Sequence, residues 1–305
     1  LILILCLLLG ACKNGNASSQ SKSETPQDTI KAIKMPAIPQ MMTAPEQRAD
    51  FLAKHYWDNV NFADTNYIHH PEVTEQAWAD YCDLLNHVPL ETAQQAMRNV
   101  IDRTNVDKKV FTYITDLADK YLYDPNSPMR NEEFYIPVLE AMIASPVLNE
   151  TEKIRPQARL KLAQKNRIGT KALNFTYTLA SGAQGSLYQL KAEYLLLFIN
   201  NPGCQACTET IEGLKNAPII NQLLQEKKLV LLSIYPDEEL DEWKKHLSEF
   251  PNEWINGYDK KFTIKEEQVY DLKAIPTLYL LDKDKTVLLK DATAPAIEAY
   301  LMQHQ

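Results

Sequence analysis

Tyr194-Leu195-Leu196-Leu197-Phe198-Ile199-Asn200-Asn201-Pro202-Gly203-Cys204-Gln205-Ala206-Cys207 decides how the second half of the chain is read. The run from Tyr194 to Ile199 is continuously apolar and of strand length, which predicts a strand buried on both faces of an α/β sheet. Asn200–Gly203 is a turn. Cys204 and Cys207 then stand at the entrance to a helix, where i to i+3 spacing brings two thiols together across one turn. The first thiol lies where unsatisfied N–H groups and the positive end of the helix dipole favour a thiolate. The second, deeper in the helix, is placed to resolve a mixed disulfide. A zinc site would need about four ligands, and no second cysteine pair or nearby Cys/His set accompanies this one. A structural disulfide that never exchanges remains an alternative on these residues alone.

Outward from this stretch the pattern alternates between strand and helix. Asn174–Leu179 and Leu229–Tyr235 read as strands, with a short extended piece at Leu187–Leu190. Thr277–Leu281 and Thr286–Leu289 close the chain around a turn at Asp282–Lys285. Helical periods cover Thr208–Lys215, Ile219–Lys227, Glu238–Phe250, Ile264–Leu272 and Pro295–Gln303. This alternation predicts a mixed central sheet with flanking helices over residues 168–305. Ala274-Ile275-Pro276-Thr277 opens one strand with a proline, a place where proline is tolerated or is cis.

These residues resemble the thioredoxin fold, and in particular the TlpA/ResA-like thiol-disulfide oxidoreductases of the bacterial periplasm. The match rests on Asn174–Leu179, on the strand before Cys204-Gln205-Ala206-Cys207, and on Asp271-Leu272-Lys273-Ala274-Ile275-Pro276-Thr277. The resemblance implies that Cys204 attacks, that Cys207 resolves, and that Pro276 is cis and packs beside the dithiol. It makes Gly203, Gln205, Ala206 and Ile275 the residues that meet substrate. It also implies an extra helix and strand, here about Glu238–Tyr258, disulfide-containing client proteins, a membrane redox partner and no cofactor or metal. Two departures stand out. Gly203 occupies a place usually held by Trp, and Phe198 falls near the buried acid of plain thioredoxin. A ResA-like acid falls near Thr210, which leaves Glu209 as the candidate for proton transfer. The threonine-and-cysteine pattern of a peroxidase of this fold is missing.

Residues 43–167 carry a 3.6-residue apolar period and read as an all-α domain of six helices. Thr43 is expected to cap the first, with Pro45 in its first turn. Pro71 and Pro89 open the next two, and Asp124-Pro125-Asn126-Ser127-Pro128 is a break. The fifth covers about Asn131–Ala144, with Pro137 expected to distort its start. The sixth runs from about Asn149 to Gln164. His69-His70 lies in a loop without further ligands, and Cys82 on a helix reads as a packing residue. Tyr121–Pro128 and Lys165–Thr170 resemble stretches of anaerobe-type lipoproteins that join an uncharacterised helical domain to a thioredoxin-like one.

The beginning of the chain is of a different kind. Leu1–Leu9 is apolar but shorter than the ~20 residues a spanning helix needs, and fits the core of a signal peptide over residues 1–11, truncated upstream. Leu9-Gly10-Ala11-Cys12 resembles the lipobox of bacterial lipoproteins, which implies lipidation of Cys12. Residues 12–42 then read as a disordered tether. The expected place is the bacterial cell envelope, lipid-anchored and facing the periplasm.

Across all 305 residues, 40 Asp and Glu against 32 Lys and Arg give a net charge of −8, so a basic nucleic-acid footprint is absent. Eight glycines are too few for a glycine-rich phosphate cradle. Of five cysteines, only Cys204 and Cys207 remain for redox work. Two functions of different classes follow: an envelope thiol-disulfide oxidoreductase, or a binding module in which the helical domain recognises a partner and the second domain is a scaffold.

Overall fold

A computed structural model describes residues 32–304; the expected signal peptide, Cys12 and the first part of the tether lie outside these residues. Among them, six α-helices precede a seven-stranded sheet with five further helices. The six are α1 (Pro45–His55), α2 (Pro71–Leu85), α3 (Leu90–Arg103), α4 (Lys108–Ala118), α5 (Glu132–Ala144) and α6 (Glu150–Ala163). Each turns an apolar stripe inward, and Trp57, Trp78, Tyr81, Met97, Phe111 and Leu139 meet in one core. Cys82 packs there at 2% exposure, and burial pushes its thiol far up. No described helix is long and apolar enough to cross a membrane.

Local chemistry sets the helix ends. Asn149 and Glu152 form a reciprocal capping box on α6, and Asp107 caps α4 through two backbone N–H groups. Thr43 does not cap α1: Ala44 is the N-cap, and Pro45 supplies the first helical residue without a side-chain cap. The last part of the tether is held rather than free, since Ile33 packs on the helical core and the Lys34 carbonyl accepts from Asn59 at 2.9 Å.

Pro137 does not break α5. It removes the N–H that would bond the Glu133 carbonyl, and Gln94 of α3 supplies the missing donor at 3.0 Å. The helix therefore continues through the proline, buried on most sides.

In the second half the strands are β1 (Thr176–Leu179), β2 (Gln184–Ser186), β3 (Tyr194–Ile199), β4 (Leu229–Tyr235), β5 (Ile255–Tyr258), β6 (Thr277–Asp282) and β7 (Val287–Lys290). Their order is β2-β1-β5-β4-β3-β6-β7. β3 pairs in parallel with β4 and antiparallel with β6, so it is hydrogen-bonded on both edges. Its side chains alternate between two cores. Leu196 and Phe198 face α7 (Gln205–Lys215), α8 (Pro218–Gln225) and α11 (Ala294–Gln303), whereas Leu195, Leu197 and Ile199 face Phe175, Tyr177, Ile264 and Tyr270. β5 and α9 (Leu240–His246) form the expected insertion. Tyr177 lies across β2 and β5, where a side chain at Gly185 or Gly257 would meet its ring.

Two expected elements differ. Leu187–Gln189 is a single 3₁₀ turn, and the extended pairing with β1 is made by Gln184–Ser186 instead. The helix expected over Ile264–Leu272 is one turn, α10 (Thr263–Glu266). Beyond it the chain is held as a loop by the linker: Lys165 Nζ donates to the Gln268 carbonyl at 2.6 Å and Asn166 Nδ2 to that of Val269 at 2.7 Å. Those contacts replace the helical ones.

Gln94→Ala leaves the half-buried Glu133 carbonyl without a partner and is expected to cost about 1–3 kcal/mol in a urea unfolding titration. Replacement of exposed Gln95 by Ala should be near neutral, and equal losses for the two would contradict this role.

Candidate active site

α7 begins at Gln205, so Cys204 is its N-cap residue, in extended backbone at φ −76° and ψ 120°. The Cys204 carbonyl accepts the Thr208 N–H at 3.0 Å, while its side chain caps nothing. The thiol is therefore left free at the end of the helix where first-turn N–H groups are unsatisfied. It is half-buried, and donates to the Ile275 carbonyl across 3.8 Å. The Ile275–Pro276 peptide is cis, as expected. The structure thus brings together Cys204, Cys207, Ile275 and Pro276 from two segments far apart in the chain.

Cys207, one turn on, is 2% exposed, and both thiols are free. Burial pushes the Cys207 thiol up to about 12; the Asn201 backbone N–H works against this shift and the neighbouring Cys204 with it. Burial favours the neutral form, so Cys207 weakens folding as pH rises from the ordinary thiol value of 9.0 towards about 12. The two sulfurs are unequal: one is reachable, and the other is held protonated behind it.

The loop that presents them is fixed from below. Asn200, 2% exposed, donates to Ser233 Oγ on β4 at 2.8 Å, and its own N–H bonds the Ile234 carbonyl at 3.0 Å. Gly203 has φ +71°, a left-handed conformation that favours glycine. Glycine thus suits the backbone at the place where the resemblance would put Trp. Phe198 is fully buried under α7 with Ile211, so the position of the thioredoxin acid is apolar. Thr210 bonds the Ala206 carbonyl of its own helix.

Gln205 and Ala206 are exposed on the first turn. Glu209 is exposed too and accepts from Gln205 at 2.9 Å, on the solvent side of α7. The hydrogen bonds of the described residues do not join it to Cys207, so a proton would travel between them through water. Beside the loop, Asn201, Pro202, Asp237, Glu238, Glu239, Glu242 and Lys265 line an open hollow of about 420 Å³, in which Asp237 bridges Asn201 and Lys265. No group of three or more His, Cys, Asp or Glu residues is arranged to hold a metal among the described residues. His69 is exposed and His70 bonds Glu72.

Sequence reasoning missed what holds the other wall. Asp271 accepts both the backbone N–H and the ammonium of Lys273, at 2.9 and 2.8 Å, and Thr277 ties back to the Ala274 carbonyl at 2.6 Å. Asp271 and Lys273 were visible in the stretch before Pro276. Glu132, the further partner of Lys273, lies in the other domain, and no local spacing signals it.

A strand-loop-helix dithiol facing a cis-proline loop, on a mixed sheet of this order, defines a thioredoxin-like protein. The chain belongs to two families, one in each half: residues 11–166 match the domain of unknown function DUF5106, and residues 192–287 match the thioredoxin-like family. It is similar to a thioredoxin-like protein from Bacteroides caccae ATCC 43185 whose crystal structure is known, with 84% identity over 91% of this chain and 100% of the other, at a TM-score of 0.89. The C-terminal domain of an uncharacterized protein from Bacteroides fragilis NCTC 9343 shares 69% identity over 45% of this chain and 98% of its own, at a TM-score of 0.44. A conserved protein of unknown function from Bacteroides fragilis shares 36% identity over 44% and 98%, at 0.43. No curated protein matches the chain.

Iodoacetamide at about pH 7.5 is expected to modify Cys204 in the native reduced protein and to spare Cys207 and Cys82 until the chain is unfolded. Peptide mass mapping reads this, and modification of native Cys207 at a rate equal to that of Cys204 would contradict the asymmetry.

Proposed function

We propose that the chain is a thiol-disulfide oxidoreductase of the bacterial cell envelope, anchored to the membrane through lipidated Cys12. The observation that carries the redox reading is the pairing of half-buried Cys204 at the N-terminus of α7 with buried, protonated Cys207 behind it, both beside Ile275–Pro276.

The exchange runs in two balanced steps. Cys204, as thiolate, attacks one sulfur of a client disulfide; the client S–S bond breaks, a mixed disulfide forms on Cys204, and the released client thiolate takes up a proton. Cys207 then gives up its proton, to water or through it to Glu209, and attacks Cys204 Sγ. The mixed disulfide breaks, the second client thiol leaves protonated, and Cys204–Cys207 forms. Two electrons and two protons have passed to the client. Gly203, Gln205, Ala206 and Ile275 border the place where the client chain lies. A membrane redox partner restores the dithiol by the reverse sequence.

The second function, a binding module, is favoured by one observation. Phe198 fills the place of the buried acid, so this domain lacks the side chain that moves protons in plain thioredoxin. On that reading the helical domain does the recognition.

Wild-type protein is expected to reduce insulin with dithiothreitol as electron source. Cys207→Ser should accumulate mixed disulfides on Cys204 in cells, and Cys204→Ser should trap none. If wild type reduces nothing, Cys207→Ser traps nothing, and the double variant keeps its partners in pull-downs, the binding module is correct.

Cys12→Ser should move the protein from the membrane to the soluble fraction of cells, leaving insulin reduction intact. Unchanged membrane association would remove the lipid anchor from the proposal.

A further inference from the structure

Six charged side chains meet at the junction of the two domains, and none is more than one-fifth exposed. Arg130 and Glu132 come from the helical domain, at the entrance to α5. Asp271 and Lys273 come from the loop before Pro276, and Lys290 and Asp291 from the end of β7. Lys273 Nζ lies 3.3 Å from Glu132, 2.8 Å from Asp271 and 3.5 Å from Asp291. Glu132 also pairs with Lys290, whose ammonium donates to the Lys165 carbonyl at 2.8 Å. Arg130 donates to the Asp291 carbonyl at 2.9 Å. The ring of Tyr123 lies 5.1 Å from the Lys273 ammonium and closes one side.

The group is neutral as a whole, with three cations against three anions. Charges buried to this degree are retained only when paired, and removing one leaves its neighbours uncompensated. Burial works against the charge on Lys273; Asp291, Glu132 and Asp271 outweigh it and hold the ammonium protonated. Lys273 stands only two residues before Ile275, whose carbonyl receives the Cys204 thiol at 3.8 Å. The path from Glu132 to Cys204 therefore crosses one ion pair, a short loop and one hydrogen bond.

We infer that Glu132 of the helical domain and Lys273 are positioning residues for the dithiol: their contact sets the place of the Ile275–Pro276 loop against Cys204. The helical domain then acts on the chemistry of the second domain without touching a substrate. This rests on the redox function proposed above only for its consequence in exchange; the positioning itself is independent of it.

The test uses the full chain with Glu132→Gln, Lys273→Met, the double variant, and Glu133→Gln as a control. Glu133 pairs with Arg167 at the end of the helical domain, beside the same junction, and makes no hydrogen bond or ion pair with residues 271–276. Two quantities are read: the rate of Cys204 alkylation by iodoacetamide, and the equilibrium constant of the dithiol with glutathione. Glu132→Gln and Lys273→Met should each raise the alkylation rate and shift the equilibrium by about three- to tenfold. The double variant should be displaced by less than the sum of the two single changes, because both remove the Glu132–Lys273 contact while each also loses pairs of its own. Glu133→Gln should lower thermal stability and leave both quantities within about twofold of wild type.

Equal effects in the control and in Glu132→Gln would overturn the inference, since the loss would then be general loosening. Unchanged rates in folded Glu132→Gln would overturn it as well. Should Lys273→Met fail to fold, Lys273→Arg replaces it, with partial restoration expected because the charge is kept. Alkylation needs no client, so a wild type inactive on insulin would defeat the proposed function while leaving this result readable.

Discussion

β3 has an apolar side chain at every position and hydrogen-bonded neighbours on both edges, and the rest of the second domain is arranged by that constraint. A strand of this kind is stable only in the middle of a sheet, with cover on both faces. Its even and odd residues feed two separate cores, one beneath α7 and α11 and the other beneath the segment before β1. The strand ends at Ile199, and the first polar residue, Asn200, is at once tied to Ser233 of the next strand. Four residues later the chain must enter α7 over the face that Leu196 and Phe198 occupy. Cys204 therefore stands at the sheet's carboxyl end because β3 is apolar throughout.

This part was legible in advance. Continuous apolar strands, the Cys204–Cys207 spacing and Ile275-Pro276 are local signals, and each has a physical reason to lie where it does. The capping box at Asn149 and the prolines that open α1 and α2 are equally local. The errors share a cause. Ile264–Leu272 has a helical apolar pattern, yet Lys165 and Asn166 seize its carbonyls from a distant segment, so the tertiary contact wins over propensity. Pro137 sits inside α5 because Gln94 repairs the hydrogen bond it removes, a remedy that no window around residue 137 contains. The pair of Glu132 and Lys273 is illegible for the same reason: each looks like a surface charge until the two domains meet.

The two thiols differ chiefly in burial. The same helix carries both, one turn apart, and the difference in reach follows from Cys204 being the cap and Cys207 facing the core. No charged group has to be spent on the asymmetry. That fits a site in which Phe198 replaces an acid and Glu209 faces solvent beside Gln205.

The charges at the domain junction have one more property. Arg130 and Glu132 sum to zero on one side, and Asp271, Lys273, Lys290 and Asp291 sum to zero on the other. Parting the domains would thus leave no net charge on either surface, and Lys273 would keep Asp271 and Asp291 as partners. The six junction charges themselves therefore exert no net pull between the two surfaces, although each half as a whole is acidic, with 19 Asp and Glu against 14 Lys and Arg in both 43–167 and 168–305. The junction is specified by geometry at contact distance, so added salt should have little grip on it compared with a bond between oppositely charged faces.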